Sequence, residues 1–312
     1  MSIASAITAA QGKVADCYTA ISNKGGTLPA TQNLSNMPTA INSIPSGGGS
    51  SKYGCTIDNM LGDVDANGKL QQPANTSGDI VFTGVKDVGT NALAYKFYGN
   101  SNLTHSVSFP DLITVSGYYG CSNMFYQCTG LISVLLPELT TVSGNSGCYF
   151  MFYGCTGLTS VSLPELTTLS NTNSAGSMFG SCYYLTNISI PKLSTATGNL
   201  ALYGFVQNCT RLTSISFPLL SNINGVSVFM SAFMGCSSLS DVYFNSLTTT
   251  SFGSNINQFN SMFNSSTAQT SGTCTVHFPS NLSSTIAGLT GYPLFGGTSG
   301  RIVLAFDLPA TT

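Results

Sequence analysis

The sequence predicts a mostly β fold: a solenoid of about seven 27-residue repeats, with β-rich caps and a short α-helical or coiled-coil segment at the N-terminus. Three observations predict it. Proline recurs at Pro110, Pro137, Pro164, Pro191 and Pro218, each 27 residues after the last, and cysteine keeps the same step at Cys128, Cys155, Cys182, Cys209 and Cys236. A fixed period of this length marks supersecondary units that bury their apolar sides only by stacking. Ahead of four of the five prolines apolar residues alternate with Ser or Asn, and ahead of Pro137 Val134 and Leu136 alternate with Ser133 and Leu135, the period-two pattern of a strand with one face buried. Finally, only 6% of the chain is charged, against about 25% in an ordinary globular protein. Stacking like on like places each residue beside its own copy, where a charge repels and a Ser, Thr or Asn can hydrogen-bond.

One unit runs Met124-Phe-Tyr-Gln-Cys-Thr-Gly-Leu-Ile-Ser-Val-Leu-Leu-Pro-Glu-Leu139, and the next runs Met151-Phe-Tyr-Gly-Cys-Thr-Gly-Leu-Thr-Ser-Val-Ser-Leu-Pro-Glu-Leu166. Leu131, Val134 and Leu136 follow Leu-x-x-Leu-x-Leu, the strand signature of a leucine-rich repeat. Pro137 ends the strand because it has no N–H for the ladder. The Ser/Thr/Gly/Asn-rich stretch after Leu139 is too polar for a buried helix and is expected to hold a second short strand and a turn. Met-Phe-Tyr-Gly-Cys is expected to close the unit as a helical turn, with Met and Phe plugging the core. Further copies run from Met178, Phe205 and Ala232, and degenerate ones end at Val107-Ser-Phe-Pro110 and Val276-His-Phe-Pro279. The interval before Pro279 carries seven extra residues.

The cysteine column reads as a small buried thiol repeated with its position. A disulfide or metal ladder is the alternative, but no Cys-x-x-Cys pair is present and His105 and His277 stand apart. Cys121 and Cys148 keep the same spacing and take the same reading.

The unit Phe-Tyr-Gly-Cys-Thr-Gly-Leu-Thr-Ser-Val-Ser-Leu-Pro resembles the BspA-like leucine-rich repeats of bacterial surface proteins and gut phages, over roughly residues 97 to 282. The resemblance implies a right-handed solenoid used for adhesion and binding, without catalysis. The period of 27 is longer than that family's usual one, so the resemblance does not extend to loop detail.

The flanks differ in kind. Residues 1–45 read as a helical attachment and oligomerisation segment: Ile3, Ile7, Ala10, Val14, Cys17 and Ile21 are spaced four, three, four, three, four, an a/d seam that stops at Gly25-Gly26. Leu34, Met37, Ile41 and Ile44 make a second, shorter stripe. The alternative to self-association, with a trimer favoured, is an amphipathic helix packed on a partner or on the chain's own domain. Ile21-Ser-Asn-Lys-Gly-Gly-Thr-Leu-Pro-Ala-Thr-Gln-Asn-Leu34 resembles an N-terminal module of phage structural proteins, which implies a virion-attachment segment. Residues 46–51, Ser-Gly-Gly-Gly-Ser-Ser, read as a flexible linker. Residues 52–96 are expected to form an N-terminal cap, with Asp79–Val88 a strand and turn over the first rung. Asp63-Val-Asp-Ala-Asn-Gly68 matches the first half of a calcium loop, but Ala74 stands where the bidentate Glu belongs, so it reads as an Asn-Gly hairpin turn. Residues 97–282 form the solenoid. Residues 283–312 form the C-terminal cap, with Arg301–Phe306 as final strand and a short helix within Asn281–Gly288.

Several functions are excluded. Nine basic and eleven acidic residues leave no basic patch for nucleic acid, and no run of 18 apolar residues reads as a membrane span. No nucleotide-binding or metalloprotease motif is present, and no cofactor or metal is expected. Glu138 and Glu165 occupy equivalent rungs and could in principle form a carboxylate pair, but they read as a solvated edge. The front strands should present two outward columns. One is Ser106, Ser133, Ser160, Asn187, Ser214, Asp241 and Thr275; the other is Ser108, Leu135, Ser162, Ser189, Ser216, Tyr243 and His277. Chemical variety rises at the C-terminal end, so Arg211, Asp241, Tyr243 and His277 are the candidate binding residues. The bland alternative is a merely solvated face.

The chain is therefore expected to be a non-catalytic virion protein of tail-fibre, baseplate or head-fibre type. It would dock on other virion proteins through residues 1–50 and present the solenoid to a host cell-surface protein or glycan. A bacterial surface adhesin, and a virion decoration without a receptor, are the alternatives. The N-terminus lacks the basic and apolar regions of a signal peptide and no wall anchor is seen, which favours the virion.

Overall fold

The computed structural model describes residues 53–54, 80–82, 85–252, 258–259, 261–263, 273–288 and 302–310. The chain separates into two units, Met1–Ser51 and Lys52–Thr312, and the described residues lie in the second. The expected helical seam and its oligomer, the linker and the calcium-loop-like stretch lie outside the described residues.

The second unit is a β-solenoid of about seven turns. Each rung has three sides. The front side is a short strand: Ser106–Ser108, Ser133–Leu135, Ser160–Ser162 and Asn187–Ser189 pair in parallel within one sheet, and Ser214–Phe217, Asp241–Phe244, Cys274–Pro279 and Ile302–Leu308 continue in another. The register advances by one repeat per rung, Ser106 opposite Ser133 and Ser214 opposite Asp241. It also absorbs the seven-residue insertion, since Tyr243 lies opposite His277. The inward residues Val107, Val134, Val161, Ile188, Ile215, Val242 and Val276 are all buried.

The back side is a two-residue strand, Thr114–Val115, Thr141–Val142, Thr168–Leu169 or Thr195–Ala196, in the Ser/Thr-rich stretch where a second strand was expected. One carbonyl there serves two donors: the Ile113 oxygen accepts from the amides of both Thr140 (2.9 Å) and Thr141 (3.2 Å).

The third side corrects the expected helical turn. Met124, Phe125, Met151, Phe152, Met178 and Phe179 do fill the core, but their segments form a run of tight turns. Alternate amides bond to the next rung, as in Cys121 to Gly147, Asn123 to Tyr149, Phe125 to Met151 and Gln127 to Tyr153. The amides between them bond three residues back. A helix would use every amide within the segment and leave none to join the rungs. The alternation is achieved by a left-handed residue at every fourth position: Tyr119, Asn123 and Gln127, then Ser146, Phe150 and Gly154, then Asn173, Ser177 and Ser181.

Down the axis, aromatic rings stack on their copies. Phe97, Phe125, Phe152 and Phe179 follow one another at 5.0, 5.3 and 5.5 Å between ring centres, close to parallel. At the next rung the order of sizes is exchanged. Phe205 takes the methionine position and Val206 the phenylalanine position, and Phe179 meets Phe205 edge-on at 5.6 Å. A second column at the ends of the front strands, Phe217, Phe244, Phe278 and Phe306, carries the core to the C-terminus.

At the ends, Ile80–Val81 joins the front sheet opposite Val107 and Ser108, and Asp87–Val88 joins the back sheet opposite Thr114 and Val115. The segment expected to cover the first rung is itself built as a rung. Ser283–Gly288 is a short helix, and Ile302–Leu308 pairs with Cys274–Pro279 as a further front strand.

Candidate functional site

The front face offers two surfaces of different chemistry. Over its first part the outward residues are small and uncharged: Ser160, Ser162, Asn187, Ser189, Ser214 and Ser216 are exposed, and Leu135, 50% exposed, is the one large apolar side chain among them. Their opposition follows the columns read from the repeat, Ser160 beside Asn187 and Ser162 beside Ser189.

At the C-terminal end the face becomes titratable, on front strands that have lengthened from three residues to four, six and seven. His277 lies between two carboxylates. Its Nε2 is 3.1 Å from Asp241 Oδ1, and its Nδ1 is 2.9 and 3.0 Å from the two carboxylate oxygens of Asp307. The Tyr243 ring stacks on the imidazole at 4.3 Å with 10° between planes. Asp241 also accepts from the Ser240 hydroxyl at 2.6 Å. Burial pushes His277 down, but the hydrogen bonds with Asp307 and Asp241 push it up further, and its pKa ends above the ordinary 6.5. The bonds from Ser240 and His277 hold Asp241 below the usual carboxylate value.

Of the four candidate residues, the structure brings Asp241, Tyr243 and His277 together and places Arg211 elsewhere. Its guanidinium lies 4.4 Å over the Tyr184 ring, one rung back in its own column. Asp307 is the member that sequence reasoning missed. Its place depends on the pairing of the last strand, which follows a segment without the repeat, so no period reaches it. Both imidazole nitrogens face carboxylates, and among the described residues no Ser, Thr or Cys side chain bonds to the ring. Among the described residues no group of three or more His, Cys, Asp or Glu side chains is placed to hold a metal.

The thiol column has another use. Each Sγ donates to the carbonyl of the Phe or Val in the rung before: Cys128 to Phe97, Cys155 to Phe125, Cys182 to Phe152, Cys209 to Phe179 and Cys236 to Val206, at 3.0 to 3.3 Å. All eight described cysteines are buried, and none of them is in a disulfide. Burial pushes Cys182 and Cys236 up to about 12, so these two remain thiols at neutral pH. At the solvated edge, Lys192 pairs with Glu165 at 2.6 Å.

A family model described as BspA type leucine-rich repeat region matches residues 90–221 and 122–285, in six copies. The chain belongs to the BspA-type leucine-rich repeat family. Such repeats are typically binding scaffolds rather than enzymes. This BspA-type chain is also similar to a leucine-rich repeat protein from Bacteroides ovatus of known crystal structure, at 18% identity and a TM-score of 0.36, over 72% of this chain. It spans 65% of that protein's length. A comparison with curated proteins found no match.

Proposed function

We propose that this BspA-type protein is an adhesive scaffold of a cell surface that binds through its front face. The observation that carries the reading is the face itself: parallel strands in one-repeat register holding an exposed, uncharged row of Ser and Asn side chains. Small hydroxyls and amides on a rigid sheet recognise a partner through many weak directional contacts, and charge steering contributes little.

The test is binding of the purified chain to intact host cells. Ser162→Arg combined with Ser216→Arg places charge and bulk on the face two rungs apart, and is expected to cut binding about tenfold or more. Ser170→Arg, exposed beyond the back strand, is the control and should leave binding unchanged. Equal binding by all three proteins would remove the front face from the reading.

A second reading is favoured by one feature, the seam Ile3, Ile7, Ala10, Val14, Cys17 and Ile21 followed by the Ser46–Ser51 linker. In it the chain is a virion fibre or baseplate subunit, trimeric through that seam, that docks on other virion proteins. Light scattering on the full chain is then expected to give three times the chain mass of 32.4 kDa, and Ile7→Asp with Val14→Asp to return a monomer. A monomer in the unaltered chain counts against it.

A further inference from the structure

His277 joins three front strands at one point. Asp241 belongs to Asp241–Phe244, His277 to Cys274–Pro279 and Asp307 to the terminal strand Ile302–Leu308. The geometry sets a requirement on the ring. A carboxylate only accepts, and a neutral imidazole carries a single N–H. With Nε2 on Asp241 and Nδ1 on Asp307, only the doubly protonated ring satisfies both partners. Losing either proton turns a charge-assisted hydrogen bond into a lone pair facing a carboxylate.

We propose that His277 is a proton-dependent latch for the terminal strand Ile302–Leu308, closed when the imidazole carries both protons and released when it has lost one. The groups that face the ring fit this role. The preceding strand contributes Asp241, itself fixed by Ser240, and Tyr243, whose ring covers one imidazole face. The terminal strand contributes Asp307. The His277 side chain is 13% exposed, so the pair with Asp241 is largely shielded, whereas Asp307 at 53% reaches solvent.

The terminal strand is the place in the solenoid where such a latch matters. Each inner rung is held on both sides, but Ile302, Leu304 and Phe306 are only partly buried against the core. Phe306 stacks on Phe278 at 5.9 Å, the longest ring separation in its column. Terminal rungs open at lower free energy than inner ones. The sign follows from the raised pKa of His277. The latch is fully closed below the unfolded-state value of 6.5 and is lost as the pH rises through the higher folded-state value. Release frees the edge of Cys274–Pro279 to pair with another strand.

Hydrogen exchange on the full chain tests this. After correction for the base-catalysed chemical rate, amide protection over 302–308 is expected to fall about tenfold or more between about pH 6 and pH 9, while that of Ser133–Leu135 and Ser160–Ser162 holds. His277→Gln does not titrate and should remove the pH dependence. As a second measurement, His105→Gln leaves His277 as the one histidine for NMR titration. Its midpoint should lie above 6.5 and move down in Asp307→Asn. Unchanged protection across that pH range, an equal fall in His277→Gln, or a midpoint that ignores Asp307→Asn overturns the latch.

Discussion

Glycine 144 shows how closely the rungs approach. A Cβ built there would overlap the carbonyl of Gly117, and one built at Gly117 would overlap the backbone of Gly89. The obstacle is main chain, which cannot rotate away as a side chain does. Gly144→Ala is therefore expected to cost about 3 kcal/mol or more in urea unfolding, near the top of the range for overpacking. Asn171 holds the same column position and is tolerated there, its amide bonded to the Ser143 carbonyl at 3.2 Å and to the Thr172 N–H at 2.9 Å. Lys192 marks the opposite extreme. Its ion pair with Glu165 is half exposed, and such pairs contribute about 0.2–1 kcal/mol, so Lys192→Ala should move the unfolding midpoint very little. The cysteines give a third test at this scale. Thiol reagent at neutral pH should label at most Cys17 and Cys55, which lie outside the described residues, until denaturant opens the solenoid and exposes the eight buried thiols. The repeat made the burial of these thiols legible from sequence. It could not show the donation from the Sγ of Cys128, Cys155, Cys182, Cys209 and Cys236 to a carbonyl one rung back, because that bond depends on the rise between rungs.

Among the elements, the front strand was the most legible and the turn-rich third side the least. Val161 and Leu163 alternating with Ser160 and Ser162 specify a strand directly, since strand burial alternates with sequence. Met151-Phe-Tyr-Gly-Cys155 specifies no helix, although its two adjacent core residues suit one turn. What decides it is non-local: the amides are needed to join neighbouring rungs. Among the described residues, 15 non-glycine residues take positive φ. Each costs on the order of 1 kcal/mol alone and is held by the inter-rung bonds on either side. The stack of rings carries much of the compensation. Phe152 is fully buried between Phe125 and Phe179. Phe152→Ala should cost about 3–5 kcal/mol, with the loss spread to both neighbouring rungs in hydrogen exchange. The candidate site was half legible for the same reason. Asp241, Tyr243 and His277 lie in columns that the period predicts, whereas Asp307 lies past the last repeat and Arg211 turns to its own column on Tyr184.

For the whole molecule, low charge and stacking are one property. Only six charged residues fall between Phe97 and Thr273, and on the Pro-adjacent edge the sign changes once, at Lys192, where it makes the ion pair with Glu165. A face so poor in charge suits a partner met by shape and hydrogen bonding, and the titratable chemistry is left to the terminal strands. The central claim is that each 27-residue unit is an interchangeable rung whose neighbours need only the correct register. Deleting residues 151–177 removes one whole unit and joins Phe150 to Met178, the same kind of junction that precedes Met151. Circular dichroism with urea unfolding on that protein is the direct measurement. The expected result is a cooperatively folded β protein, with a deletion one residue shorter at the same place failing to fold, since a slip of one turns every inward residue outward. Equal folding of the two deletions, or loss of structure in the whole-unit deletion, would contradict the account.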